Sequence, residues 1–341
     1  MPLTATDRSV DPPASADHPH PPRPTPKSLR WLELSPGFAC NCRCLGCHSC
    51  SADTRDQMQP SDVLRWLQQG RRMGAADLWL SGGEPTLRKD FLPTLKAAKQ
   101  LGYRRIKVQT NAMLFSYPAF ADKATAAGMT EVNLLLKSLD PKVHDALNRT
   151  PRSHELLTQA IAVLGARGVR LEGDILLTTR NIAELPQLVA HYAAAGVAHF
   201  NLWLFSLVDQ GDADLRRLVP PLHVCMPLIL QAWEVAKANN VTMCSLNTPH
   251  CVLPPAAWAL QFDAAGMGLL VVNPGDRVFR LETSSIEQGV YMAACQTCAA
   301  RPWCHGMRRD YLDVHGEAEF RPVAPEAVAG HDPRGSVLDL E

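Results

Sequence analysis

The chain has 341 residues, with 34 Lys and Arg against 34 Asp and Glu, and 46% of its residues are hydrophobic. Zero net charge leaves no broad footprint for nucleic acid or an anionic membrane, and the length calls for two or three domains or one large α/β domain with an appendage. Eleven cysteines, with no secretory start and no apolar run of about 20 residues, point to a cytoplasmic protein whose thiols bind metal rather than pair as disulfides.

Residues 1–27 hold eight prolines and few large apolar groups, which predicts a disordered tail. From residue 28 the pattern alternates. RWLEL (30–34) reads as a strand that stops short of the first cysteines, and SDVLRWLQQGRRMG (61–74) as a helix capped by Ser61 and ended by Gly74. ADLWLS (76–81), RRIKVQT (104–110), EVNLLLKS (131–138), RLEGDILLTT (170–179) and AHFNLWLFS (198–206) read as five more strands. The segments between them read as helices closed by Gly102, Gly128, Gly168 and Gly196. Six strands, each followed by a helical segment, predict an α/β fold: a partial (βα)6 barrel over residues 28–215, with ligands at the C-terminal strand ends. Beyond it, residues 223–240 read as a helix, VTMCSL (241–246) as a strand, and residues 268–282 as a hairpin turning at Asn273-Pro274-Gly275-Asp276. Residues 216–325 are expected to form a small α+β extension, followed by a disordered tail over 326–341.

The stretch CNCRCLGCHSC (40–50) carries the chemistry. Cys40, Cys44 and Cys47 stand as C-x3-C-x2-C on the loop after the first strand. Three thiolates there can each bind one iron of a cubane and leave the fourth iron open. Cys44, Cys47 and Cys50 could instead hold zinc, or a pair of thiols could be a redox disulfide. Cys42 and Cys50 read as small buried residues, with extra thiols or alternative ligands as the other readings. Three more motifs close successive strands: Ser81-Gly82-Gly83-Glu84-Pro85, Thr110-Asn111, and Ser138-Leu139-Asp140. Gly82 and Gly83 let backbone approach a ligand, and Glu84 can bind an ammonium.

These four motifs, over residues 30–205, resemble the radical S-adenosylmethionine (radical SAM) superfamily. The resemblance implies a [4Fe-4S] cluster on Cys40, Cys44 and Cys47, whose open iron is chelated by the amino and carboxylate groups of S-adenosylmethionine. It further implies one-electron cleavage of the sulfonium to a 5′-deoxyadenosyl radical that abstracts hydrogen from substrate. Gly82, Gly83, Glu84, Asn111 and Ser138 are implied as cofactor-binding. The chain departs from the family at three points. Gly46 replaces the usual aromatic residue near the adenine, so that contact falls to another residue such as His48. Ala112 replaces a Gly after Asn111, and Pro141 replaces a Gly after Asp140. His144 reads as a structural residue near a helix N-terminus. Asn181, after the fifth strand, also fits the family.

A second group, Cys295-x2-Cys298-x5-Cys304, has Cys251 upstream. It resembles the C-terminal SPASM/Twitch extensions, which carry auxiliary [4Fe-4S] clusters. The next SPASM cysteine position is Arg308, and the upstream Gly-x4-Cys element is missing, since Val271 stands at that distance from Gly266. One auxiliary cluster of Twitch type is therefore expected, with Cys251 as fourth ligand and Cys244 and Cys225 as alternatives. His305 reads as incidental, and a structural zinc on the same thiols is the competing assignment. Members with such extensions often modify ribosomally made peptides, so oxidative modification of a peptide or protein is expected. The alternatives are a small-molecule substrate or a non-catalytic metal-binding scaffold. The electron donor implied is a flavodoxin or ferredoxin. Asp174, Lys137 and His199 are the candidates for a general base.

Overall fold

The computed structural model describes residues 28–47, 55–207, 213–284 and 289–334. The expected tail at 1–27, His48 and Cys50 lie outside the described residues.

Eight parallel strands and one antiparallel strand form a single sheet. In chain order they are β1 (Trp31–Leu34), β2 (Asp77–Leu80), β3 (Ile106–Thr110), β4 (Glu131–Leu136), β5 (Arg170–Leu177), β6 (Val197–Leu204), β7 (Thr242–Leu246), β8 (Leu269–Asn273) and β9 (Arg277–Arg280). Their order across the sheet is β7-β6-β5-β4-β3-β2-β1-β8-β9. The ends β7 and β9 are not hydrogen-bonded to each other, so the barrel is partial, as the six βα units predict. The hairpin at residues 273–276 is present, with β8 antiparallel to β9. The residues expected to form a separate extension share the barrel's sheet, since β7 pairs with β6 and β8 with β1.

The helices on the outer face are α1 (Pro60–Arg72), α2 (Phe91–Gln100), α3 (Pro118–Ala127), α4 (Pro141–Asn148), α5 (Ser153–Gly165), α6 (Leu185–Ala194) and α7 (Leu222–Ala238). In α1 the buried Val63, Trp66, Leu67 and Gly70 recur at helical spacing. Its cap residue is Gln59, with Pro60 in the first turn, rather than the expected Ser61. Gly70 lets α1 lie on β1, where a Cβ would stand 2.7 Å from Leu32 Cδ2. The eight-residue α4 is the helix whose N-terminus His144 was expected to adjoin; Asp140 caps it by accepting from the Lys142 N–H at 2.8 Å. The stretch expected as a C-terminal tail continues as a helical turn, Pro325–Gly330, and the Pro333 carbonyl reaches His250 Nε2 at 2.7 Å.

Alternate strand residues face opposite sides. Leu32, Leu78, Val108, Val132, Leu134, Ile175 and Leu202 belong to the outer core under the helices. The inner face carries Trp31, Trp79, Cys244, Leu246, Leu269 and Val271 as a second apolar cluster. Charged residues share that lumen. Lys107 Nζ pairs with Glu172 and, at 4.0 Å, with Glu131, and lies 5.0 Å from the Trp31 ring and 4.7 Å from that of Trp79. Burial works to raise the Glu172 pKa, but Lys107 and His199 hold it down to about 2.

One helical stretch, Leu215–Ala238, is long and apolar enough by length and composition to cross a membrane, contrary to the reading of the sequence. Within it α7 buries Leu222, Cys225, Met226, Ile229, Ala232 and Ala236, as a core helix does.

Candidate functional site

The first cysteine loop lies at the C-terminal end of β1 and is tied down from three sides. Backbone bonds join it to the Gly-Gly-Glu segment after β2: Gly83 N–H donates to Gly37 O at 2.9 Å, and Glu84 N–H to Ala39 O at 2.8 Å. Gly82 sits at φ +102°, and a Cβ there would meet Gly37 O at 2.5 Å. A Cβ on Gly83 would meet Ala39 O at 2.3 Å. Both glycines are therefore required by the approach of the loop itself. On the second side, Arg88 donates to Pro36 O at 2.9 Å and to Met58 O at 3.1 Å, closing the base of the loop. On the third, the loop docks on the end of α4, where Leu45 N–H donates to Leu147 O at 2.9 Å and the Cys44 thiol to Asn148 Oδ1 at 3.1 Å. Asn148 is a positioning residue that the sequence did not single out.

Cys40 is exposed, Cys47 half-buried and Cys44 buried. Cys42 lies between Cys40 and Cys44. Its backbone N–H donates to Cys40 Sγ at 3.3 Å and its thiol to Met113 Sδ at 3.8 Å; the nearness of Cys42 lowers the Cys40 pKa and brings that of Cys44, against burial and with help from Lys137, to about 6. The same nearness raises the Cys42 pKa.

Glu84 is 3% exposed, and burial raises its pKa. Four donors fix its carboxylate. Thr86 N–H and Thr86 Oγ1 donate to Oε1 at 3.1 and 2.5 Å, Thr110 Oγ1 lies 2.8 and 2.9 Å from the two oxygens, and Asn111 N–H donates to Oε2 at 2.8 Å. Asn111 Nδ2 also donates to Asn41 Oδ1 at 2.7 Å, which places Asn111 over the cysteine loop. Ala112 takes φ +62°, the left-handed conformation that explains a glycine at this place in the family. Ser138, 1% exposed, accepts from Asp140 N–H at 3.0 Å at the end of β4. Asn181 donates to Lys137 O at 2.6 Å and to Leu176 O at 2.8 Å, joining the ends of β4 and β5. His144 is buried against the His154 ring, and burial lowers its pKa to about 3. That is the structural role expected of it.

Gly46 stands at φ +72°, and a Cβ there would lie 2.6 Å from Cε2 of Phe205. Phe205 follows the last residue of β6 and is fully buried. An aromatic ring from the end of β6 thus borders the loop position that lacks one.

The second group converges as well. Cys251, Cys295, Cys298 and Cys304 line one hollow, with about 390 Å³ of non-atom space partly open to solvent. Burial raises the Cys251 pKa to about 12, with Cys304, Cys298 and Cys295 adding to the effect. Burial likewise raises Cys304 to about 11. Of the alternatives to Cys251, Cys225 lies in α7, 4.0 Å from Pro220 O, and Cys244 lies in the lumen, donating to Asn201 Oδ1 at 3.2 Å. Arg308, at the next SPASM cysteine position, donates to Leu204 O at 3.0 Å and to Phe205 O at 2.6 Å. It therefore straps this region to the end of β6. Among the described residues no three Cys, His, Asp or Glu side chains are spaced to share a single metal ion. His305 lines a neighbouring larger opening, with Leu246, Phe262, Tyr291, Trp303 and Cys304.

A parallel partial barrel with three cysteines after β1 and Gly-Gly-Glu after β2 defines a class. Residues 34–192 match the radical SAM superfamily, and this part of the chain is a domain of the radical SAM enzyme type. The chain is 29% identical over 183 residues to a probable GTP 3′,8-cyclase of Sulfurisphaera tokodaii, covering 52% of this chain and 56% of that protein. It is 23% identical over 227 residues to the AdoMet-dependent heme synthase of Methanosarcina barkeri, covering 66% and 63%. The chain thus spans little more than half the length of the curated relatives it matches. Among solved structures, Streptococcus suis SuiB bound to S-adenosylmethionine aligns with a TM-score of 0.63 at 15% identity, covering 87% of this chain and 77% of that one. SuiB bound to precursor peptide SuiA aligns at 0.55 and 16%, covering 75% and 60%. At these identities the likeness is one of fold.

Proposed function

We propose that the chain is a radical SAM enzyme that modifies its substrate by hydrogen abstraction at the barrel mouth. The observation that carries this reading is the direct backbone pairing of the cysteine loop with Glu84, which sets three thiols and one buried carboxylate at adjoining strand ends. This donor set fits the group implied: Cys40, Cys44 and Cys47 would hold a [4Fe-4S] cluster, and Glu84 the ammonium of S-adenosylmethionine. When bound, the two supply one-electron cleavage and a carbon radical. The chain's own part is to bind and orient. The hydrogen bonds from Thr86, Thr110 and Asn111 hold the Glu84 carboxylate in one place before the ammonium arrives, so little ordering cost falls on binding. Gly82 and Gly83 let the cysteine loop close onto the Glu84 segment. Ser138 and Asn111 offer hydrogen bonds at the ends of β4 and β3. The ring of Phe205 presents an apolar edge beside Gly46.

The four converging cysteines would hold one auxiliary [4Fe-4S] cluster, making the region after β7 a Twitch-type extension. A structural zinc on the same four thiols is the competing assignment. The substrate reading is oxidative modification of a ribosomally made peptide or protein. It is supported by the opening beside Cys304, which takes in the end of β7 and the segment after β9. A small-molecule substrate is favoured instead by the named activities of the curated relatives.

The test is anaerobic reconstitution with iron and sulfide, followed by dithionite and S-adenosylmethionine. About eight irons, falling to about four in the Cys40/Cys44/Cys47→Ala protein, with 5′-deoxyadenosine only from wild type, is the expected result. A fully loaded wild type that cannot bind S-adenosylmethionine would sink the proposal.

A further inference from the structure

The Cys44 thiol gives its proton to the last residue of α4. It donates to Asn148 Oδ1 at 3.1 Å, and Asn148 Nδ2 donates in turn to Ser153 Oγ at 3.0 Å. Ser153 Oγ donates to Asp145 Oδ1 at 2.8 Å, and the same carboxylate takes the His154 N–H at 2.9 Å and the Arg152 N–H at 2.6 Å. Cys44, Asn148 and Ser153 are each more than nine-tenths buried, so this chain of bonds runs under the cysteine loop away from solvent. The backbone fixes it as well, since Arg43 N–H donates to Asn148 O at 3.3 Å.

This bonding suits a thiol but not an iron ligand. The form of cysteine that binds metal is the thiolate, which accepts hydrogen bonds and has no proton to give. Cys40 is already arranged for that form, because its Sγ accepts the Cys42 N–H at 3.3 Å. In the second group Cys298 Sγ accepts the Val323 N–H at 3.3 Å, and Cys304 Sγ the Gly306 N–H at 3.4 Å. At Cys44 an amide oxygen faces the sulfur, and two buried acceptors without a proton between them are unfavourable. A carboxamide removes the conflict without moving the backbone, since half a turn about its last side-chain bond exchanges Oδ1 and Nδ2. Nδ2 then donates to the sulfur, and Oδ1 accepts from the Ser153 hydroxyl. Asp145 keeps its two backbone donors. Asn148 is thus satisfied against either form of Cys44, which neither an apolar residue nor a carboxylate in its place could be.

We infer that Asn148 is a positioning residue for the cluster proposed on Cys40, Cys44 and Cys47: its carboxamide donates an N–H to the Cys44 thiolate and thereby eases reduction of that cluster. An N–H···S bond strengthens as negative charge collects on the sulfur, so the donor favours the state that has gained an electron and raises the reduction potential. The electron is supplied by the one-electron donor that the radical reading already requires, of the flavodoxin or ferredoxin kind. The inference rests on that reading for the presence of the cluster, and goes beyond it in assigning a residue that sets its potential. Lys137 also acts on Cys44, from the end of β4. It is retained in every variant below, so the comparison isolates Asn148.

The test is a reductive titration of the reconstituted full chain with dithionite and redox mediators, read by electron paramagnetic resonance. The signal of interest is the one that changes when S-adenosylmethionine is added to a parallel sample and that Cys40/Cys44/Cys47→Ala lacks. Asn148→Leu removes the donor at similar volume and adds no charge. It is expected to lower the equilibrium constant for reduction about tenfold, a fall of 59 mV for one electron. Asn148→Asp still accepts from a Cys44 thiol in the unloaded chain but has no N–H for a thiolate, and is expected to shift the potential the same way. Ser153→Ala keeps the Asn148 donor and is expected to hold the wild-type potential. A role confined to holding the loop would lower iron content while leaving the potential of the remaining clusters unchanged, and that result overturns the inference. Loss of the signal from both Asn148 variants, or a shift in Ser153→Ala as large as in Asn148→Leu, overturns it too. If no wild-type signal responds to S-adenosylmethionine, the radical reading falls and this inference with it; a responsive signal whose potential ignores Asn148 sinks the inference alone.

Discussion

The ring of Phe205 stands where any side chain on Gly46 would have to go, with Cε2 2.6 Å from an ideal Cβ. The two residues are 159 positions apart, yet each sets the other: a ring at one requires a glycine at the other. The glycine is doubly required, because its φ of +72° penalises any L side chain by about 1–2 kcal/mol. Gly46→Ala is expected to destabilise by more than that backbone cost, since the ring must also move. Phe205→Ala, which empties a fully buried site, is expected to cost about 3–5 kcal/mol. The double variant should cost at least 1 kcal/mol less than the sum. Urea unfolding of the three proteins measures this, and simple additivity would show that the ring does not depend on the glycine.

The Glu84 carboxylate makes a second prediction. Glu84→Gln keeps the shape and removes the charge that would meet an ammonium. A hydrogen bond to a charged group is worth about 1.5–3 kcal/mol, so S-adenosylmethionine affinity should fall by about 10–100-fold with iron content unchanged. Thr110→Val removes the hydroxyl that lies within 3 Å of both carboxylate oxygens. It should weaken the same affinity, and through the freed carboxylate lower stability by about 1–3 kcal/mol. Equilibrium dialysis with labelled S-adenosylmethionine decides; an unchanged affinity in Glu84→Gln removes that residue from the site.

The second cysteine group separates three candidate thiols by position. Cys251→Ser should lower the reconstituted iron content by about four atoms, while Cys225→Ser and Cys244→Ser should leave it at the wild-type value. Metal analysis with zinc counted alongside iron reads the outcome. Full iron loading in Cys251→Ser would place the fourth ligand elsewhere, and zinc in place of iron would make the site structural.

Much of this was open to reading before any coordinates. The strands announced themselves because apolar β-branched and leucine-rich runs stop at motifs such as Ser81-Gly82-Gly83-Glu84, and because glycines such as Gly128, at φ +119°, end helices in a conformation that other residues avoid. The cysteine spacings were visible for a covalent reason, since ligands on one short loop must be close in sequence. What stayed hidden depends on long-range packing. Phe205 is one apolar residue among many at the end of β6, and nothing local marks it as the neighbour of Gly46. Asn148 meets Cys44 because the loop docks on the end of α4, and that helix, of eight residues with a proline in its first turn, is too short to stand out by periodicity. The shared sheet was hidden too: β8 follows β1 in space but comes more than 200 residues later, and parallel pairing across such a gap leaves no periodic trace. The lumen was least legible. Lys107 and Glu172 look like isolated polar interruptions in two apolar strands until the register places them together.

Asp174 offers a test of that lumen independent of any substrate. Its folded pKa, about 6, lies above its ordinary value of 3.8, with burial the main cause. Between these values the folded chain holds the proton more tightly than the unfolded chain does. The carboxyl therefore lowers stability progressively as pH rises from about 4 to about 7. Asp174→Asn keeps an acceptor for Asn201 and has no charge to desolvate. Its stability relative to wild type should rise across that window, by at most roughly 3 kcal/mol at pH 8. Part of the gain arrives through Glu33, whose own pKa Asp174 helps to raise. His199 slopes the other way, since burial lowers its pKa to about 4 and its protonation costs stability as pH falls below the ordinary 6.5. That slope is common to both proteins and cancels in the difference, as do those of Glu172 and Lys107 to the extent that they remain paired. Denaturation of the two proteins at pH 4, 6 and 8 supplies the numbers. A difference that stays flat with pH would mean that Asp174 is already ionised without penalty, and that the lumen is wetter than its burial implies.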